Sequence, residues 1–472
     1  MRIVLMHYHL RRGGVTSVVL HQAKMLSDAG DDVLIISGEN APEGFAFPHV
    51  KIEELQYDKH RAEALEKRNE TAGQLAAGIM KAMMDQWGQA ADVVHVHNPL
   101  IQKNAALIPA LKILKSENVQ FLLQNHDLAE DFRPDVYVLN EDYPENCHYG
   151  VINRRSFSFM HRAGLNTGGL HLLPNEVVSI NADPGMNRTR FLYPVRAIRR
   201  KNIGEALLIS LFIPEGTTVA ITLPPTTNKD EGIYRHWMEL ARTLKLPVEF
   251  EVGVKTPLPE LMGSSIAVIT TSVKEGFGFS YLEPWTAGRA VIGRRIDYVC
   301  RDFEDAGVQF DSLYSAIKIP MVYLSAPVLK KKMEQALAST YQAYGIEPPQ
   351  YIGNMMVDDI FSHDYFDFGR LDEELQTSLL RTLCVNDVVL KDIAAINPFL
   401  AKLSRWIPNE ELIIQNRTCV EKMYGREKIY ASLKQAYDQV VNHRVKHKIS
   451  KSILLELFLD PLKMSLVGVG YE

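Results

Sequence analysis

KEGFGFSYLEPWTAGR, residues 274–289, stands directly behind the apolar run Ser265-Ile-Ala-Val-Ile-Thr-Thr271. The run is short, rich in β-branched residues and almost without alternation, as expected of a strand buried in a parallel sheet. After it Glu275, Gly276, Phe277 and Gly278 make a loop, and a helix opens near Ser280. A strand that breaks into a glycine loop and then a helix leaves free backbone N–H groups at the positive end of the helix dipole, a place suited to an anion. Gly276 and Gly278 let the backbone approach a ligand, because no Cβ stands in the way. Glu275 sits at the loop entrance and Glu283 on the first helical turn, so two carboxylates bracket the loop. That pattern suits a ligand with both phosphates and hydroxyls.

The rest of the chain repeats the strand–loop–helix theme. Arg2-Ile-Val-Leu-Met6 reads as a buried strand, Arg11-Arg12-Gly13-Gly14 as a turn, and residues 15–29 as a helix with Val18, Leu20, Ala23 and Leu26 inward. Residues 32–37 form the next strand, the start of a doubly wound α/β domain. Residues 60–87 are helical in pattern, with Leu75, Ile79, Met83 and Trp87 in the core. Strands at 92–97 and 119–124 follow, the second running into Asn125-His126-Asp127, at the carboxyl end where such sheets hold ligands. His95 and His97 alternate within one strand, so at least one is structural. Residues 181–187 have linker composition. A second sheet is expected from strands at 190–195, 219–223, 248–252 and 290–294, with a helix at 234–244. Residues 305–408 are mostly helical in pattern and suggest no chemistry. Arg199 and Arg200 read as a solvated basic run, and Asp358-Asp359 and Asp364 to Asp367 as solvated turns without ligand spacing for a metal.

Composition narrows the function. A chain of 472 residues needs two or three domains. A net charge of −5 lacks the basic excess of nucleic-acid binders. Cys147, Cys300, Cys384 and Cys419 are scattered with no C-x-x-C pair, which fits a reducing cytosol and a cytoplasmic location. No run of eighteen apolar residues is present and no integral membrane segment is expected. The basic-then-apolar tail, 443–458, suits a peripheral membrane contact or packing on the protein's own body, and Pro461, which soon interrupts it, favours packing.

Glu275-Gly-Phe-Gly278, with Glu283 eight residues beyond Glu275, resembles the E-x7-E signature of retaining GT-B glycosyltransferases, family 4. Trp285, Ala287 and Arg289 depart from the residues often seen there, a matter of packing. The resemblance extends to Leu173-Pro174-Asn175 before the linker. It also includes Arg196 and Lys201, which keep the R-x4-K spacing although Val195 and Asn202 replace the family's glycines. It implies two Rossmann-like domains facing each other across a cleft. The first (1–185) is on the acceptor side and the second (186–425, with the helical extension at about 305–408) on the nucleotide-sugar side. C-terminal helices (426–472) would pack back on the first. Arg196 and Lys201 would clamp the nucleotide diphosphate, and the amides around Phe277 and Gly278 would hold sugar and phosphate. Glu275 and His126 would orient the sugar and Glu283 would grip the ribose. Gly14 would be a further donor contact, and Glu130 to Pro134 resembles an acceptor-side loop.

The implied activity is metal-independent transfer of a hexose, with retention, from a nucleotide-diphosphate sugar (UDP- or GDP-hexose) to a small sugar-like or polyol acceptor. No cofactor and no enzyme nucleophile are expected. A retaining disaccharide phosphorylase, a sugar-nucleotide epimerase or a catalytically silent sugar-nucleotide-binding subunit shares this architecture, and fold alone does not separate them.

Overall fold

In the computed structural model, described for residues 1–183, 185–348, 363–460 and 464–467, each of two units is organised on a parallel sheet. The first unit comprises Met1–Glu176 and Tyr424–Leu459. Its strands are β1 (Arg2–His7), β2 (Asp32–Ser37), β3 (His49–Lys51), β4 (Val93–His97), β5 (Phe121–Asn125), β6 (His148–Val151) and β7 (Leu170–Leu172). They lie in the order β3-β2-β1-β4-β5-β6-β7, all parallel. The order reverses between β1 and β4, and at such a switch point the loops diverge and leave room for a ligand.

Alternation along β1 divides the core between two faces. Val4 and Met6 join helices Arg68–Trp87 and Leu107–Ser116 on one face, with Leu75, Ile79, Met83 and Leu111 buried. Ile3 and Leu5 join helix Gly14–Asp28 on the other through Val19, Ala23 and Leu26. Helix Arg426–Asn442 adds Leu433, Ala436, Tyr437 and Val440 to that second face. Trp87, placed in the core by its spacing, is only partly buried. The helical stretch expected at 60–87 breaks at Lys67 into Arg61–Glu66 and Arg68–Trp87. Helix Lys451–Phe458 buries Leu454 and Phe458 in the first core, and the Arg155 guanidinium lies over the Phe159 and Phe458 rings.

The second unit comprises Val177–Met423 with the C-terminal segment. Its sheet is β8 (Arg190–Arg196), β9 (Thr218–Leu223), β10 (Val248–Glu249), β11 (Ser265–Thr270), β12 (Ala290–Arg294) and β13 (Leu313–Tyr314), ordered β10-β9-β8-β11-β12-β13 and again parallel. Here the switch point lies between β8 and β11. β10 is shorter than the strand expected at 248–252, because Glu251 takes a left-handed backbone (φ 62°) and Val252–Lys255 turns helical. Trp285, Ala287 and Arg289 are all buried. The Trp285 indole donates to Tyr281 O and the Arg289 guanidinium to Met262 O and Gly263 O, so these residues do serve packing.

The stretch 305–408 contains helices Ala326–Ala343, Glu373–Val385, Asp387–Ile396 and Pro398–Leu403. It also carries an antiparallel strand pair that periodicity did not reveal, β14 (Lys318–Pro320) with β15 (Tyr365–Asp367). Strands of three residues are too short to show alternation. Met464–Val467 lies against this region, where Leu466 N–H donates to Arg370 O and Ser465 Oγ to Gly369 O. Among the described residues no helix is long and apolar enough to cross a membrane.

Candidate active site

In the second unit the chemistry gathers where β8 and β11, neighbours at the switch point, run out into loops. From β8 the chain passes Arg196 into the 3₁₀ turn Arg199–Lys201. From β11 it passes the buried Thr271 and Ser272 to Glu275. Hydrogen bonds tie the two loops together. Lys201 O accepts from Tyr193 Oη at 2.7 Å and from Thr271 Oγ1 at 3.0 Å, and Val273 N–H donates to Arg200 O. The Lys201 ammonium pairs with Glu275 Oε1, while Arg200 Nη1 reaches Glu275 Oε2 at 3.2 Å and Lys274 O at 2.9 Å. Tyr298 secures the loop from behind, its hydroxyl donating to Glu275 O at 2.6 Å.

Burial by itself would raise the Glu275 carboxyl pKa. Lys201 and Arg200 more than offset it and hold the group below the ordinary carboxylate value. Glu275 is therefore a carboxylate at neutral pH. Arg200, read from sequence as solvated, belongs to this cluster, and Arg199 is not solvated either, since it bonds Glu373 at 2.6 and 3.0 Å. A run of three basic residues does not reveal which carboxylates fold against it. Arg196 follows a different course, its Nη1 donating to Pro224 O at 3.0 Å.

The glycine loop differs in two respects from its sequence-based reading. Gly278 has φ 95°, and a Cβ there would meet Val299 Cγ1 at 2.6 Å, so this glycine is needed for the loop's own turn and packing. The expected helix is also short: a 3₁₀ turn Phe279–Tyr281 leads into Glu283–Thr286, a single turn. One turn has little macrodipole, so the dipole part of the anion-site argument fails and only the loop amides remain for that task. The Phe277 ring is buried edge-on to Phe279 and Phe303, centroids 5.0 and 5.6 Å away. Glu283 stands at the first position of the short helix, half-buried, and burial pushes its carboxyl up to about 7.

In the first unit His126 follows β5 at the sheet's carboxyl end and is buried. Asn98, itself in a left-handed conformation after β4, receives the N–H groups of His126 and Asp127 on its Oδ1 at 2.6 and 3.0 Å. His126 Nε2 lies 3.1 Å from His97 Nδ1, His97 stacks on His95, and His95 Nδ1 lies 2.9 Å from Tyr437 Oη. His7, at the end of β1, places Nδ1 3.4 Å from His97 O. Burial lowers His126 to about 4 and His7 and His95 to about 3, and it takes His97 well below the ordinary value. All four imidazoles are thus neutral at pH 7 and act as hydrogen-bonding groups. His7 was not singled out from the sequence. Its position at the end of β1 beside the switch point was the available signal.

Gly14 opens helix Gly14–Asp28, with open space where a Cβ would stand and no acidic residue in the first turn. Glu130, in the loop read as acceptor-side, is wholly buried and accepts from Tyr143 Oη at 2.8 Å, and burial raises it to about 7. Of the acidic turns, Asp358-Asp359 falls outside the described residues. Asp367 is no solvated turn, since it pairs with Arg294 at 2.8 Å.

No protein-family model matches the chain. It is 25% identical to mannosylglucosyl-3-phosphoglycerate synthase of Petrotoga mobilis over 443 residues, 84% of this chain and 83% of that protein. Among solved structures it resembles sucrose-phosphate synthase from Thermosynechococcus elongatus, with a TM-score of 0.54, 15% identity and coverage of 93% of this chain and 98% of that one. It also resembles the Anabaena protein HepE, solved with UDP and glucose, with a TM-score of 0.54, 11% identity and coverage of 92% and 98%. These structural likenesses establish the GT-B fold. The sequence relative spans four-fifths of both chains, and the chain resembles retaining GT-B glycosyltransferases of the family-4 kind.

Proposed function

We propose that the enzyme transfers a hexose from a nucleotide-diphosphate sugar to a small hydroxyl-bearing acceptor, with no metal in the reaction. The observation that carries this reading is the cluster of Lys201, Arg200 and Glu275 where β8 and β11 diverge. As the glycosidic bond loosens, negative charge builds on the departing diphosphate. Fixed cations and loop amides stabilise that charge without reorganising. Lys201 and Arg196 take the diphosphate, together with the amides at Phe277 and Gly278 and the backbone at Gly14. Glu275 and the neutral His126 orient the sugar, and Glu283 holds the ribose. A phosphoglycerate-bearing saccharide is the first acceptor to test, because the relative from Petrotoga mobilis is named for mannosylglucosyl-3-phosphoglycerate. A thermal-shift series with UDP, GDP, ADP and inorganic phosphate tests the reading. One nucleoside diphosphate should raise the melting temperature more than phosphate does. A shift with phosphate alone would point to a phosphorylase, and no shift at all would refute nucleotide-sugar binding.

Activity should survive exhaustive chelation; loss with EDTA and return with Mg²⁺ or Mn²⁺ would refute metal independence. Glu283→Gln should weaken nucleoside diphosphate binding by roughly 1.5–3 kcal/mol, the worth of a charged hydrogen bond. Glu275→Gln should leave that affinity nearly unchanged and lower turnover. Because Glu283 has a raised pKa in the folded protein, its ionised form accumulates only as pH rises through about 7. Nucleotide affinity should therefore climb from pH 6 to pH 8, and part of that climb should vanish in Glu283→Gln. Calorimetric titration at both pH values measures this, and an identical pH dependence in the variant would rule Glu283 out.

A further inference from the structure

Asn202, directly after Lys201, has a left-handed backbone (φ 51°, ψ 58°) although it is not glycine. Its side chain is held at both ends. Oδ1 accepts from Gln376 Nε2 at 2.8 Å, and Nδ2 donates to Glu205 Oε2 at 2.9 Å. Its carbonyl accepts from Thr271 Oγ1 at 3.1 Å. Glu205 is fully buried and fixed in turn by Arg294, through Nε at 2.8 Å and Nη2 at 2.6 Å, and by Tyr314 Oη at 2.6 Å. The other side of the Arg294 fork bonds both carboxylate oxygens of Asp367 at 2.8 Å. Glu373, three residues before Gln376, holds Arg199 at the start of the same basic turn. The segment from Asp367 to Gln376 therefore grips the turn on both sides of Lys201.

Two glycines make room for this grip. A Cβ at Gly204 would meet Gln376 Oε1 at 2.1 Å, and one at Gly369 would meet Arg294 Nη2 at 2.2 Å. A surface extension that merely lengthened the chain would not require backbone relief at both of its inner contacts. Left-handed non-glycine residues persist where the surroundings over-determine them, and such positions cluster at functional sites.

We infer that Gln376, with Glu373 and Asp367, positions Lys201 for the donor diphosphate by locking the backbone of Asn202, which gives the stretch at 305–408 a role in donor binding. The inference rests on the reading of Lys201 as a diphosphate ligand. Gln376 touches no substrate; it is a positioning residue. Replacing it leaves Lys201 held by Glu275, Tyr193 and Thr271 but frees the Asn202 side chain that follows it, so it weakens only what Lys201 contributes.

A double-mutant cycle separates this from a purely structural role. Gln376→Leu should raise the calorimetric Kd for the preferred nucleoside diphosphate about tenfold and the donor KM with it, while the acceptor KM stays unchanged. In a Lys201→Ala background the same change should alter the Kd by less than about twofold. Glu373→Gln, a milder change at a partly exposed ion pair, provides the same test with about a threefold effect should Gln376→Leu not fold. Losses that multiply in the double variants would overturn the positioning role while leaving the Lys201 reading intact. An unchanged Kd in Lys201→Ala alone would overturn both.

Discussion

Lys201→Ala should cut kcat/KM by about a hundredfold to a thousandfold, roughly 3–4 kcal/mol of transition-state stabilisation, in a protein that still folds. Its ammonium is among the fixed charges at the mouth of the β8–β11 switch point, and in the structure it balances the buried Glu275. The fold should hold because Arg200 remains 3.2 Å from the same carboxylate after the substitution. The loss should be greatest in kcat, since the diphosphate carries most charge as it departs. Steady-state kinetics with a cooperative melting curve as control decides the matter. Wild-type turnover in Lys201→Ala would remove the diphosphate clamp from the account, and the same measurement on Arg196→Ala shows how far the second arm shares the task.

The second large effect concerns stability. Arg294 serves two carboxylates at once, one of them Glu205, which is wholly buried. Arg294→Met should lower the stability of the second unit by about 3–5 kcal/mol, because removing one partner strands buried charge. The pH dependence has a definite sign. Burial holds the Glu205 carboxyl above its ordinary value even with Arg294 beside it, and losing the guanidinium raises it further, so the folded variant takes up a proton still more readily than the unfolded chain. The deficit should thus be largest above pH 7 and shrink as pH falls towards 5. Urea unfolding at pH 8 and pH 5 reads both parts. A loss under 1 kcal/mol, or one independent of pH, would show that Glu205 is not balanced in this way.

What the sequence revealed depended on the range of the interactions. The strand–loop–helix block around Glu275 was legible because every partner that defines it lies within about twenty residues. The parallel strands were legible because burial on both faces leaves continuous apolar runs. The Lys201–Glu275 pair joins residues 74 apart and Gln376–Asn202 residues 174 apart, and no local pattern announces either. Arg199, Arg200 and Asp367 therefore looked solvated. The helix behind Gly278 was overestimated for a related reason. Pro284 and the buried Trp285 are compatible with a longer helix, but the turn ends at Ala287 and Gly288, where the chain enters β12. The histidines were half legible. Alternation placed His95 and His97 in one strand, but only the sheet order brings His97 to His126.

The most direct test of the central claim is the anomeric configuration of the product. The enzyme would be incubated with UDP-α-glucose or GDP-α-mannose and with glucosyl-3-phosphoglycerate, and the new linkage followed by proton NMR while released nucleoside diphosphate is counted. The account predicts an α-linked product, with one nucleoside diphosphate released per linkage formed. A β-linked product, or transfer without release of nucleoside diphosphate, would contradict it.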